Sequence, residues 1–277
     1  MAKEKQQLSL FDNIQNKIER STSTVSELRC AMWAPVTQIT KTSITYKNFI
    51  ENKNIRAIKT SWGEMEVRNR LLTQTHKDIF DSILTNNRET KIVTHGRVAI
   101  YFTPYEVLDQ LGKSTTHYTW LKEKIDEIAD VKIKYKNNEG DEYSFNIFNK
   151  VAYSEKRGLY GVVIDEDYLK YFLNSLTLDY SKYVKDIAMI DDALIKAIIK
   201  FFLTHDARDY PVKMGLMEIL KTVGYPIDSD RQISSAKSSI YKHIKKLEEY
   251  TILYSKKTQL FEYFGKENIY FTKSLNI

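Results

Sequence analysis

Thr103-Pro104-Tyr105-Glu106-Val107-Leu108-Asp109-Gln110-Leu111-Gly112-Lys113-Ser114-Thr115-Thr116 holds a helix start, a helix stop and a second start in quick succession. Thr103 is a cap, Pro104 occupies the first helical position, and Glu106 closes a capping box. Val107, Leu108 and Leu111 form the apolar stripe of a short helix that Gly112 ends. Lys113-Ser114-Thr115-Thr116 opens a longer helix, in which Tyr118, Leu121, Ile125 and Ile128 recur at helical spacing. Upstream, Thr73 caps a helix whose inner face is Ile79, Phe80, Ile83 and Leu84. Downstream, Val131–Lys136 alternates apolar and lysine, and Tyr143–Ile147 answers it across a turn at Asn137–Gly140. The lysines on that first strand read as the wet face of an edge strand, with a wing as the second reading. Residues 28–68 read as strand-rich, with two short strands within Ala57–Val67.

The same order returns nearer the carboxyl end. Asp191 or Asp192 caps a helix through Leu194, Ile195, Ile198, Ile199 and Phe202. Tyr210–Lys213 is a short strand, Leu216–Val223 a short helix stopped by Gly224, and Ser234–Tyr250 a longer helix. Strands around 251–255 and 259–264 follow, with a last one at 268–272. Aligning Leu111-Gly112 with Val223-Gly224 superposes the two units element by element. The fold class expected is α+β: two tandem winged-helix domains, each a helix-turn-helix with a β-hairpin wing, related by internal duplication. The expected division is a tail at 1–27, a first domain at 28–185 and a second at 186–277.

The 277 residues are 42% hydrophobic and 28% charged, a globular composition. Apolar runs of four or five residues are too short to span a bilayer. Met1–Gln7 lacks the apolar core of a secretory signal. The single cysteine, Cys30, forms no internal disulfide and fits a reducing cytoplasm. A net charge of +6 tilts mildly towards polyanionic partners, so the distribution of charge matters more than its sum.

That distribution singles out Ser234–Lys246, with four lysines, four serines and no acid. The last helix of a helix-turn-helix lies in the major groove, where bases need donors and phosphates need positive charge. Candidate DNA contacts are Arg231, Gln232, Ser234, Ser235, Lys237, Ser238, Ser239, Lys242, Lys245 and Lys246, with Lys256 and Lys257 on the wing. The competing reading is the solvated face of an ordinary amphipathic helix. In the first unit Lys113, Ser114, Thr115 and Thr116 sit at a helix start suited to a phosphate backbone. They are expected to position the duplex more than to read it.

Nothing argues for catalysis or for a cofactor. Gly112-Lys113-Ser114 lacks the first glycine of a P-loop, because Val107 stands in its place. The histidines (His76, His95, His117, His205, His243) are scattered, and no metal site is expected. In the tail, Gln7-Leu8-Ser9-Leu10-Phe11 resembles the bacterial sliding-clamp-binding motif at all five positions. The apolar residues are its anchors and the Gln7 amide its polar register.

With these elements in hand, residues 28 to about 272 resemble the plasmid replication initiators of the Rep superfamily, the TrfA-like branch most closely. Leu28-Arg29-Cys30-Ala31-Met32-Trp33, Tyr101–Leu108 and Val163-Ile164-Asp165-Glu166 carry the likeness in order. The resemblance implies two winged-helix domains that bind repeated sites (iterons) in double-stranded origin DNA, promote origin opening and recruit the sliding clamp, the replicative helicase and a host initiator. It also implies a homodimer in equilibrium with monomer. On this reading the second unit reads bases through Ser235, Lys237, Ser238, Ser239 and Lys242, while Lys245, Lys246, Lys256 and Lys257 hold phosphates. The polar residues of the second recognition helix differ from those of relatives, so the DNA sequence it reads is not carried over. A winged-helix transcriptional regulator is the alternative, and a metal-dependent nuclease the less favoured one.

Overall fold

The computed structural model describes residues 23–37, 39–61, 63–86, 89–92, 97–168, 176–207 and 210–272; Gln7–Phe11 lie outside them. In the first half, α1 (Val25–Arg29) and α2 (Ile44–Glu51) precede a hairpin of β2 (Ile55–Thr60) and β3 (Gly63–Arg68). Residues 28–68 are therefore not strand-rich: strands begin only at Ile55. Helix caps explain the difference, since Thr24 and Glu27 form a capping box, and Ser43 accepts the Tyr46 amide at 3.2 Å.

α3 (Gln74–Thr85), β4 (Glu89–Ile92), β5 (Val98–Phe102), α4 (Pro104–Gln110) and α5 (Tyr118–Ala129) follow. α5 begins later than its sequence suggests, because Thr115–His117 is a single 3-10 turn rather than α-helix. The hairpin of β6 (Lys132–Asn137) and β7 (Glu142–Asn146) forms as expected, but its surroundings correct the edge-strand reading. β6 lies inside a sheet of order β2-β3-β6-β7, paired to β3 on its other side. Two of its three lysines face carboxylates: Lys134 and Lys136 lie opposite Glu66 and Glu64 in register, and both reach Glu142, at 3.0 and 3.6 Å, while Lys132 lies opposite Arg68. On this exposed face, charge pairing across strands adds to solvation in accounting for Lys134 and Lys136.

The next hairpin, β8 (Phe148–Ser154) and β9 (Leu159–Ile164), has no counterpart among the sequence-based expectations. It joins β5 in a sheet of order β4-β5-β9-β8. β10 (Thr177–Asp179) then pairs with β1 (Ser23–Thr24) on one side and β14 (Tyr270–Thr272) on the other, bringing together the two ends of the described chain.

The second half runs α6 (Val184–Ala188), α7 (Ala193–Leu203), β11 (Val212–Gly215), α8 (Leu216–Thr222), α9 (Asp230–Lys242), α10 (Ile244–Glu249), β12 (Ile252–Ser255) and β13 (Leu260–Tyr263). The single helix expected from Ser234 to Tyr250 is two helices. It starts earlier because Ser229 and Gln232 form a capping box, and it breaks at His243. The sheet order is β11-β13-β12. In both halves the strand between the first two helices pairs with the second strand of the closing hairpin: β5 with β9, β11 with β13. Both short helices end alike. Gly112 (φ +65) and Gly224 (φ +71) are left-handed, and the next amide returns to the helix at 2.8 Å, Lys113 to Leu108 and Tyr225 to Leu220. Each half is thus a helix-turn-helix with a β-hairpin, a mixed α/β arrangement of winged-helix character.

Two large apolar cores result, beside a small third cluster of Ala34, Phe49 and Leu71. One gathers α3, α4, α5 and the flanking sheets around Phe80, Phe102, Ile125 and Val162; the other gathers α6–α9 and β11–β13 around Ile198, Phe202, Leu220 and Ile240. Leu28, Leu178, Tyr180 and Val184 belong to the second core. Between the cores lies a buried ionic cluster. Lys196 and Lys200 of α7 reach Asp78 of α3 at 2.6 and 2.7 Å; Asp81 takes Lys77 at 2.5 Å and the Tyr180 hydroxyl at 2.7 Å. Desolvation at this junction lowers the pKa of Lys196.

Candidate nucleic-acid interface

α9 turns on Ala236 and Ile240, both fully buried one turn apart, which fixes the opposite face. That face presents Arg231, Ser234, Ser238, Tyr241 and Lys242 to solvent, with exposed Ser235 at its flank and Lys245 continuing it on α10. Small hydroxyls among cations leave room for close approach to a duplex, and they supply donors and acceptors of either sense. Lys245 has no ion-pair partner among the described residues.

Other candidates are committed elsewhere. The Gln232 side-chain oxygen accepts the Ser229 amide at 2.9 Å, so it serves the helix cap. Ser239 donates its hydroxyl to Asp192, which itself caps α7 by accepting the Leu194 and Ile195 amides at 2.9 and 3.2 Å. Lys242 lies 3.3 Å from Asp191, which also takes His243 at 2.9 Å; hydrogen bonds from His243 and Lys242 hold that carboxyl below its usual range. The Lys242–Asp191 pair is exposed and weak, so the lysine can exchange it for a phosphate. Lys246 is paired to Glu249 at 2.7 Å, and Lys237 is half-buried on the flank. The β12–β13 turn exposes Lys256 and Lys257. The Lys256 ammonium lies 4.6 Å from the centroid of the Tyr241 ring, a contact between wing and helix that the pattern of charges does not reveal.

In the first half, Ser114, Thr115 and Thr116 are exposed at the 3-10 turn leading into α5. Ser114 and Thr116 share a hydrogen bond of 2.6 Å, with His117 beside them. Lys113 is half-buried, its ammonium 4.6 Å from the Trp120 centroid. The hairpin that corresponds to the second wing is β8–β9, whose turn exposes Lys156 and Arg157. Sequence reasoning misses those residues because Val131–Ile147 supplies a nearer hairpin. Pairing across the sheet, rather than local pattern, identifies the later one.

Among the described residues no group of three or more His, Cys, Asp or Glu is placed to hold a metal ion. His76 is buried, its pKa lowered by desolvation, with Nε2 2.8 Å from Glu127. Burial acts to raise Glu127, but hydrogen bonds from His76 and Lys124 outweigh it and bring the carboxyl to about 2. Gly112, the glycine of the apparent P-loop fragment, ends α4 instead. No helix among the described residues is long and apolar enough to cross a membrane.

Comparison with known proteins agrees with this geometry. Residues 63–190 match the family described as Initiator Replication protein, WH1. No curated protein matches the chain in sequence. Among solved structures, the crystal structure of RctB domains 2–3 aligns with a TM-score of 0.50 at 12% identity, covering 86% of this chain and 94% of that one. A selenomethionine crystal structure of domain 2 and domain 3 of RctB aligns with a TM-score of 0.51, again at 12% identity, over 75% of this chain and 88% of that one. At such identity the likeness is one of fold. Residues 63–190 are thus similar to the WH1 domain of the Initiator Replication protein type, in a chain that shares the fold of RctB domains 2–3.

Proposed function

We propose that this protein is a non-enzymatic replication initiator of the plasmid Rep type, one that binds iterons in duplex origin DNA through both winged-helix units. The two units, taken as domains at 28–185 and 186–277, are products of an internal duplication on this reading. The second reads sequence through the outward face of α9, and the first contributes backbone contacts. The observation that carries the proposal is that face: Arg231, Ser234, Ser238 and Lys242 stand together on the solvent side of the helix, beside a lysine-tipped wing. The WH1 match over residues 63–190 supports the initiator reading over a promoter-only regulator. Ser239 and Gln232, committed to caps, position the helix in this scheme rather than read bases. Origin opening, recruitment of the replicative helicase and host initiator, and a homodimer–monomer equilibrium complete the proposal. Gln7–Phe11 is its sliding-clamp contact, and the cytoplasm its place of action.

A footprint of the purified protein on the origin region of its own replicon tests this. The expected result is protection of direct repeats beside an AT-rich segment, abolished in a Ser238→Asp/Lys242→Ala variant. Protection confined to a promoter overturns the initiator reading. Deleting residues 7–11 is expected to leave that footprint intact while weakening binding to purified clamp.

A further inference from the structure

We propose that Tyr241 is a positioning residue for DNA recognition: its ring holds the Lys256 ammonium so that recognition helix and wing form one preset surface. The inference rests on the reading of α9 as the DNA-facing helix. Tyr241 is 37% exposed, a large aromatic in the middle of a face otherwise built of serines and cations. Burial does not require it there, since Ala236 and Ile240 already anchor the helix. Its ring instead meets two wing residues. Lys256 sits 4.6 Å from its centroid, and the Tyr254 ring lies 6.0 Å away, itself 4.5 Å from Phe261 on the partner strand. Tyr241 thus bridges the apolar root of the hairpin and the charge at its tip.

The physical consequence is preorganisation. A lysine on a hairpin turn keeps four free torsions, and ordering it on a phosphate costs rotamer entropy at the moment of binding. An ammonium resting on an aromatic face has already given up part of that freedom, while its N–H groups stay free for a phosphate oxygen. Leucine at 241 keeps the apolar bulk beside Tyr254 but offers no π face. Phenylalanine keeps both and drops only the hydroxyl.

The test uses full-length protein and the duplex that the wild type selects from a random-sequence library. Y241L is expected to bind that duplex about five-fold more weakly, the scale on which removing an exposed cation–π interaction and the order it imposes reduces affinity. Y241F is expected to bind like wild type. K256A should lower the slope of log K against log salt by about 1, and its cost in affinity should be clearly smaller in the Y241L background than in the wild-type background. Additive effects in that double-mutant cycle, or Y241L binding as tightly as wild type, overturn the inference and leave the helix assignment standing. If Ser238→Asp/Lys242→Ala binds the selected duplex normally, or if the wild type selects none, the helix assignment falls and the inference with it. Because K256A alters an exposed turn residue, its salt slope reads binding rather than folding.

Discussion

Ser239 separates a residue that reads from one that holds. Its place in a hydroxyl-rich helix reads as a base contact, yet its hydroxyl goes to Asp192, the cap of α7. Ser239→Ala is therefore expected to cost stability, about 1 kcal/mol by urea unfolding, with Asp192→Ala costing about as much or somewhat more. DNA affinity measured under conditions where both variants are fully folded should stay within about two-fold of wild type, well short of the ten-fold that 1.4 kcal/mol of binding would represent. His205 carries a different signal. Burial, with Arg29 close by, depresses its pKa from 6.5 to about 4. The unfolded chain takes up this proton first, so the contribution is complete above pH 6.5 and is lost as pH falls towards about 4. His76, depressed in the same direction by burial, adds to the loss. Unfolding free energies measured in urea from pH 7.5 to 4.5 are expected to fall on acidification, and His205→Asn should flatten that slope. An unchanged slope would remove His205 from the acid response.

At the scale of elements, the β8–β9 hairpin is the first unit's counterpart of the second wing, because β5 pairs with β9 as β11 pairs with β13. Under the proposed function, Lys156 and Arg157 at its tip join Lys113–Thr116 as expected phosphate contacts of the first unit. Lys156→Ala/Arg157→Ala is expected to weaken binding to cognate and unrelated duplexes alike, and to lower the salt slope by up to about 2, one for each contact. A change in the preferred sequence instead would give the tip a reading role. Much of this architecture is legible in the chain. Thr73, Thr103 and Asp192 announce their helices, Gly112 and Gly224 end theirs, and the stripes of α5 and α7 are complete. These signals are local, so a window of a dozen residues contains their cause. Some errors are local too, such as the Ser229–Gln232 capping box that starts α9 early, but those at the candidate site come where a partner lies far along the chain. Lys134 looks like a solvated lysine until β3, more than sixty residues earlier, places Glu66 opposite it. The outward face of α9 is readable from composition, but Tyr241 needs the wing folded back upon it. The commitment of Ser239 needs Asp192, which meets it only in the folded second core.

The whole molecule depends on how the two units are joined. An ordinary connection between winged helices would let each find its own segment of DNA, but α3 and α7 meet through charges that water hardly reaches. Lys200 is 2% exposed, bonded to Asp78 at 2.7 Å and 3.5 Å from Asp81; Lys196 completes the cluster. Buried ionic contacts of this kind contribute little net stability over apolar packing, but they tolerate only one geometry, since the desolvation of a misaligned ammonium goes unrelieved. Strand β10, paired to both β1 and β14, and the Arg29 guanidinium, bonded to the Thr204 hydroxyl and carbonyl at 2.8 Å each, fasten to the second unit the chain segment that runs on through Cys30 to Trp33 into the first core. The two helix-turn-helix units are thus held at a set spacing and phase, and a duplex bound by both, as the proposed function has it, must match that geometry. Inserting about five base pairs, half a helical turn, between the segments protected by the two units is expected to weaken binding at least ten-fold, while about ten base pairs restores phase but not spacing. Lys200→Met should cost on the order of 3 kcal/mol in urea unfolding, because it strips a buried aspartate of one of its partners. In the protein that remains folded, the joint is looser, so the ratio of affinities for the uninterrupted and half-turn-interrupted sites should shrink. An equal ratio in wild type and K200M would mean that the connecting chain, rather than the charge cluster, sets the phase. A wild type indifferent to the insertion would mean that the units engage DNA one at a time.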